Sequence, residues 1–121
     1  MILVDSCGWI EFLADGEKSG EYAKYLVDYC RIVTPSIVIY EVCKKVLREL
    51  GEEAAVMVAA QMNNTRVVEL TAGLSLLAAG LSIKHGLPMA DAIVYATARK
   101  LNCQVVTSDK HFLSLEGVIF I

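Results

Sequence analysis

Five short apolar runs set the frame for this chain: ILV (2–4), RIVT (31–34), VVEL (67–70), CQVVT (103–107) and VIFI (118–121). Successive side chains of a strand point to opposite faces, so a run that is apolar at neighbouring positions must be covered on both sides. Between the runs lie stretches with helical patterning near 7–14, 18–30, 36–50, 52–62, 71–85, 90–101 and 110–115. The third is marked by residues 39, 42, 43, 46, 47 and 50, with Ser36 expected as its N-cap. Strands that alternate with helices predict a three-layer α/β/α fold around a central, mostly parallel sheet of four to five strands. The 121 residues fit one domain, 1–121, with a substantial core.

Hydrophobic residues make up 55% of the chain and mean hydropathy is +0.50. The longest uncharged stretch, LTAGLSLLAAGLSI (70–83), stops at 14 residues, short of the roughly 20 that a membrane span needs. The surplus apolar surface implies a buried sheet, an oligomer interface, or both, with AAVMVAAQM (54–62) and LSLLAAGLSI (74–83) as packing or oligomer surfaces. The start, MILVD, carries no secretory pattern. Cys7, Cys30, Cys43 and Cys103 form no C-x-x-C pair, and two scattered histidines do not complete a zinc set. The expectation is a reduced, cytoplasmic protein.

The acids carry the chemistry. In an open parallel sheet, ligands bind outside the carboxyl ends of the strands. ILV runs into Asp5–Ser6 and QVVT into Ser108–Asp109, so both aspartates fall on that edge. The helix at 90–101 returns through a short loop to the strand at 103–107. Twelve helical residues span about 18 Å and five extended ones about 16 Å, which brings Asp91 nearly level with Asp109. Glu41 lies roughly 7–8 Å along the helix that starts at Ser36, and its side chain tilts back towards that helix's N-terminus. Four carboxylates from four segments thus converge on one cleft. Like charges at such spacing repel, and burial raises the cost; a divalent cation removes both problems. Oxygen ligands point to Mg²⁺ or Mn²⁺, and metal-held water beside a phosphodiester is the arrangement for in-line hydrolysis.

Each acid also has an ordinary role open to it. Asp5 and Asp109 suit the caps of helices beginning at Ser6 and Lys110. Asp91 suits a cap or a first-turn acid facing the helix dipole, and Glu41 suits an exposed pair with Lys45. Caps need not cluster, whereas ligands must. His85 and His111 read as isolated surface residues, and Trp9, Ile10, Phe12 and Leu13 as the core face of the first helix.

The four acids sit in motifs that resemble those of the PIN domains, and among them the compact toxins of VapC type, over essentially the whole chain. VDSCGWIEFL (4–13) is similar to the opening strand and first metal-binding aspartate, here Asp5, followed by Ser6. TPSIVIYEV (34–42) resembles the second motif and gives Glu41; LPMADAIVYATA (87–98) resembles the third and gives Asp91. VVTSDKHF (105–112) resembles the fourth and gives Asp109, with Thr107 two positions before it. No additional acid occurs near 111–113, where some members carry one, which leaves one or two metal ions open.

The resemblance implies a metal-dependent endoribonuclease. Asp5, Glu41, Asp91 and Asp109 would hold Mg²⁺ or Mn²⁺ and position the attacking water, with Ser6 and Thr107 in support. Cleavage would leave a 5′-phosphate and a 3′-hydroxyl on RNA. It also implies a homodimer and a small cognate antitoxin protein. A PIN-like module that binds RNA or protein without turnover is the main alternative.

A net charge of −3 at first argues against a nucleic-acid partner. Setting the four site acids aside leaves 11 basic and 10 acidic residues, a surface near +1. Lys44, Lys45, Arg48, Arg99, Lys100 and Lys110 then become candidates for steering phosphate. A phosphoacceptor receiver domain would need a second acid beside Asp5 and a lysine ending the last strand; Ser6 and VIFI stand there instead. A haloacid-dehalogenase-like phosphatase would need an aspartate where Cys7 stands.

Overall fold

The apolar runs become strands because each hides both of its faces. In a computed structural model describing residues 1–121, β1 (Ile2–Val4), β2 (Ile32–Pro35), β3 (Arg66–Val68), β4 (Gln104–Thr107) and β5 (Val118–Phe120) form one sheet. Its order is β3-β2-β1-β4-β5 and every pairing is parallel. Leu3 and Val4, Ile32 to Thr34, and Val105 to Thr107 are buried at consecutive positions, while the edge strands β3 and β5 are only partly covered.

Six helices flank the sheet: α1 (Ser6–Leu13), α2 (Ser19–Ala23), α3 (Ser36–Leu50), α4 (Glu52–Met62), α5 (Ala72–His85) and α6 (Met89–Leu101). α1 packs on α2 and α3, α3 on α4, and α5 on α6. No helix is long and apolar enough to cross a membrane. From β1 the chain builds outward to β2 and β3, then crosses to β4 and β5 on the other side. The crossing makes the carboxyl ends of β1 and β4 the switch point where such sheets bind ligands.

Two details hold the switch point together. Gly8, in the first turns of α1, has no room for a side chain, since a Cβ there would meet the Tyr22 ring and lie 2.7 Å from a Val4 methyl. α6 is buried without a break from Ala92 to Ala98, because α5 covers the side that the sheet does not. Asp91 therefore stands at the head of a helix that has almost no wet face.

The structure departs from the sequence reading in three places. The stretch 18–30 is not one helix: α2 ends at Ala23, and a single 3₁₀ turn, Tyr29–Arg31, follows. Asp28 breaks the pattern, taking an extended conformation and accepting from the Cys30 N–H with its own carboxylate. Residues 110–115 likewise contribute only a 3₁₀ turn, Lys110–Phe112. Ser36 does not cap α3; it is the first helical residue, behind Pro35, and no side chain caps that end. Proline's fixed φ and missing N–H suit it to a helix start.

Candidate functional site

Asp5 leaves β1 with its backbone N–H bonded to the Val106 carbonyl at 3.0 Å, so the end of β1 is tied to β4. Its side chain, 3% exposed, is held at both oxygens. Oδ1 accepts from the Ser6 N–H at 2.8 Å as the cap of α1, and Oδ2 accepts from the Thr107 hydroxyl at 2.9 Å. Thr107 in turn accepts the Asp109 N–H at 3.0 Å. One hydroxyl thus sets the spacing between the two strand-end aspartates. Asp109 Oδ1 accepts from the His111 N–H at 2.9 Å, capping the 3₁₀ turn.

Asp91 lies in the first turn of α6, whose N-cap is Pro88, and it makes no capping bond. Instead its Oδ2 lies 2.9 Å from Nδ1 of His111, and the same nitrogen lies 3.0 Å from Oδ1 of Asp109. Ligand atoms of Asp91, Asp109 and His111 all fall within 4.8 Å of one another. Asp5 and Glu41 stand outside that tight group, yet their charges are felt across the site. Burial raises the Asp5 pKa above the usual carboxylate value, against its hydrogen bonds, and Asp109 adds to the rise. Burial, then the charges of Asp5 and Asp109, raise Glu41, with Ser6 opposing. Asp91 is pushed up to about 7, first by burial and then by Asp109, Asp5 and Glu41, with His111 pulling the other way. All four carboxylates are therefore electrostatic neighbours.

The alternative roles fare unevenly. Asp5 and Asp109 do cap, Asp91 does not, and Glu41 is not paired with Lys45, which bonds to Glu49 at 3.2 Å. No lysine or arginine lies within 4.0 Å of any of the four. A group of acids that contains a buried member, raises its own pKa values and draws no Lys or Arg is a fit for a hard divalent cation. The close group offers two aspartates and one imidazole, with the charges of Asp5 and Glu41 beside it, so oxygen donors predominate. The carboxylates line none of the molecule's four pockets; they form a shelf at the carboxyl edge of the sheet.

Sequence reasoning missed His111, which it treated as an isolated surface residue. The imidazole is 56% exposed, but the turn capped by Asp109 folds it back between two carboxylates. Its position two residues after a strand-end aspartate was the available signal, since such an aspartate commonly bonds the backbone two residues on. Cys7, Tyr22 and Ser108 were also missed. Cys7 Sγ lies 3.4 Å from the Thr107 hydroxyl and 3.8 Å from Asp5 Oδ2. The Tyr22 hydroxyl bonds to that of Ser108 and approaches the same sulfur at 3.7 Å. These groups pack the back of the shelf.

A family model described as PIN domain matches residues 2–118. No curated protein matches the sequence. Among solved structures, a toxin–antitoxin complex from Klebsiella pneumoniae aligns with a TM-score of 0.83 at 18% identity, over 98% of this chain and 96% of that one. Mycobacterium tuberculosis VapC20, a toxin that cleaves the Sarcin-Ricin loop, aligns at 0.80 with 25% identity, over 98% and 97%. VapBC2 from Rickettsia felis, bound to a DNA fragment from its promoter, aligns at 0.75 with 15% identity, over 100% and 98%.

Proposed function

Because the chain belongs to the PIN domain family, we propose that it is a metal-dependent endoribonuclease and the toxin of a toxin–antitoxin pair. One observation carries this reading: four carboxylates from four segments meet at the topological switch point, where burial and their shared charge raise the pKa values of Asp5, Glu41 and Asp91, with no Lys or Arg to offset them. The likeness to VapC20 and to toxin–antitoxin complexes supports the choice of RNA as substrate and of a small antitoxin as partner. In this reading residues 1–121 are one such domain, working as a homodimer in the cytoplasm, where its four free cysteines stay reduced.

Asp5, Glu41, Asp91 and Asp109 would hold Mg²⁺ or Mn²⁺. Bound there, the ion supplies an activated water and charge stabilisation at a phosphodiester. The chain's own residues prepare the site. The Thr107 hydroxyl locks Asp5 Oδ2 and receives the Asp109 N–H, so two strand ends cannot drift apart. Ser6 supports Glu41, whose rise its side chain opposes. His111 bridges Asp91 and Asp109 and sets their separation. Hydrolysis forms a bond from the water oxygen to phosphorus and breaks the bond from phosphorus to O3′, leaving a 5′-phosphate and a 3′-hydroxyl.

The test is cleavage of end-labelled single-stranded RNA by purified protein with Mg²⁺ or Mn²⁺, with EDTA, and with Asp91→Asn. Cutting that needs the metal and is lost in the variant is the expected result. Equal cutting by both proteins would place the chemistry elsewhere. No cutting of the toxin's natural range of RNAs under any condition would leave a module that binds without turnover.

A further inference from the structure

On the α5–α6 side, away from the carboxylate shelf, a pocket of about 340 Å³ opens between the two helices and the segment before β5. Lys84, His85, Arg99 and Glu116 line it together with Tyr95. Tyr95 is buried and fixed: its hydroxyl donates to the Glu116 carbonyl at 2.9 Å, and its ring meets His85 and Phe112 edge-on at 5.8 and 6.3 Å. The floor is thus rigid. Lys84 and Arg99, by contrast, have no acid within 4.0 Å, and Glu116 is no exception. Cations in the last turn of a helix favour its dipole, which accounts for each singly. It does not account for two of them, from two helices, meeting at one concavity unpaired.

The pocket is joined to the shelf. Tyr95 and Arg99 follow Asp91 at four and eight residues on α6, so Arg99 stands about 12 Å along the helix from Asp91. Phe112, against Tyr95, directly follows His111. We infer that this pocket binds a backbone phosphate of the RNA strand a few nucleotides from the bond that is cut, with Lys84 and Arg99 as its ligands. The choice of RNA rests on the ribonuclease reading above. A pair of cations beside a ring and an acidic shelf further along suits a single strand, whose affinity comes from phosphate contacts.

The experiment is the salt dependence of binding to a fluorescently labelled single-stranded RNA, with EDTA present so that nothing is cut. Each phosphate contact to a single strand contributes about 0.7 to the slope of log affinity against log salt. Lys84→Ala with Arg99→Ala removes the one phosphate contact the pocket makes and should lower the slope by about 0.7. Between 50 and 200 mM salt the wild type would then lose about 2.6-fold more affinity than the double variant. The charge-keeping pair Lys84→Arg with Arg99→Lys should retain the wild-type slope. Lys24→Ala with Arg31→Ala, which alters two cations of a different concavity, should retain it as well. An unchanged slope in the Lys84/Arg99 variant overturns the pocket, and so does an equal drop in the Lys24/Arg31 variant, because net charge alone would then explain both. Binding is read without metal, so the two readings fail separately. A protein that cuts nothing but shows the slope change keeps the pocket; one that cuts with metal but shows none loses only the pocket.

Discussion

Asp91→Asn should make the metal-free protein more stable at pH 8, although it removes a residue of the proposed site. Asp91 keeps its proton to about pH 7 in the folded chain, against an ordinary 3.8. Between those values the folded state holds one more proton than the unfolded state. Stability therefore falls as pH rises through this window, by about 1.4 kcal/mol per pH unit, and the loss is complete above pH 7. Taken at face value the window is worth about 4 kcal/mol. The carboxylate is 13% exposed and its His111 partner 56%, so water screens the site and about half of that, roughly 2 kcal/mol, is the better figure. Asparagine cannot ionise and escapes the penalty, but it forfeits the pair with His111, worth up to about 1 kcal/mol at such exposure. The net is about 1 kcal/mol in favour of the variant, or about 3–5 °C in Tm for a chain of this size.

Urea unfolding in EDTA at pH 4 and pH 8 measures it. The two proteins should be close at pH 4, and the variant ahead at pH 8. With a divalent ion present the order should reverse, since a ligand at a hundred times its Kd adds about 2.7 kcal/mol to the protein that binds it. A variant no more stable than wild type at pH 8 in EDTA, or a gap that is the same at both pH values, would refute the charge crowding on which the site rests.

Three further outcomes follow from particular contacts. Gly8→Ala should cost about 1–3 kcal/mol in urea unfolding, because a Cβ there drives into Tyr22 and Val4; a neutral result would mean that α1 can slide on β1. Thr107→Val keeps the volume but strips Asp5 Oδ2 of its buried donor, so stability should fall by about 1–3 kcal/mol. Calorimetric metal affinity should fall with it by about 10–100-fold, and Thr107→Ser should restore both. His111→Ala removes the only cation-capable group beside Asp91 and Asp109. Its pH-dependent loss of stability should therefore extend to higher pH than in wild type, as titrated by unfolding in EDTA.

The sheet was legible because burial on both faces leaves a mark on sequence that needs no tertiary knowledge: each of the three central strands carries adjacent buried apolar residues, Leu3–Val4, Ile32–Val33 and Val105–Val106. The heights of Asp91 and Asp109 followed from lengths alone, and the 2.9 and 3.0 Å contacts to one His111 nitrogen agree with that estimate. What sequence concealed was local competition. Tyr22 and Leu26, four apart and both buried, look like the face of one long helix. The helix stops at Ala23, and the Asp28 side chain, bonded two residues ahead, starts a separate 3₁₀ turn; a single polar side chain leaves no periodic trace. His111 was hidden for a related reason. Exposure and isolation in sequence describe its surroundings along the chain, whereas its partners come from a turn and from the head of another helix.

Capping and the proposed metal binding, posed as rivals for these carboxylates, are compatible. The Ser6 and His111 N–H bonds hold one oxygen each of Asp5 and Asp109 without neutralising either charge. A cap therefore fixes the rotamer a ligand needs, and the entropy of ordering that side chain is spent before any ion arrives. Asp91 is the discriminating case. It has no cap bond, and the dipole of α6 favours a first-turn acid by only about 0.3–1 kcal/mol, yet its pKa stands near 7 instead of below the ordinary 3.8. Burial and three like charges outweigh the helix. A cation bound on the shelf, as the ribonuclease reading proposes, would reverse that balance and draw the Asp91 and Glu41 carboxyls back down towards their ordinary values.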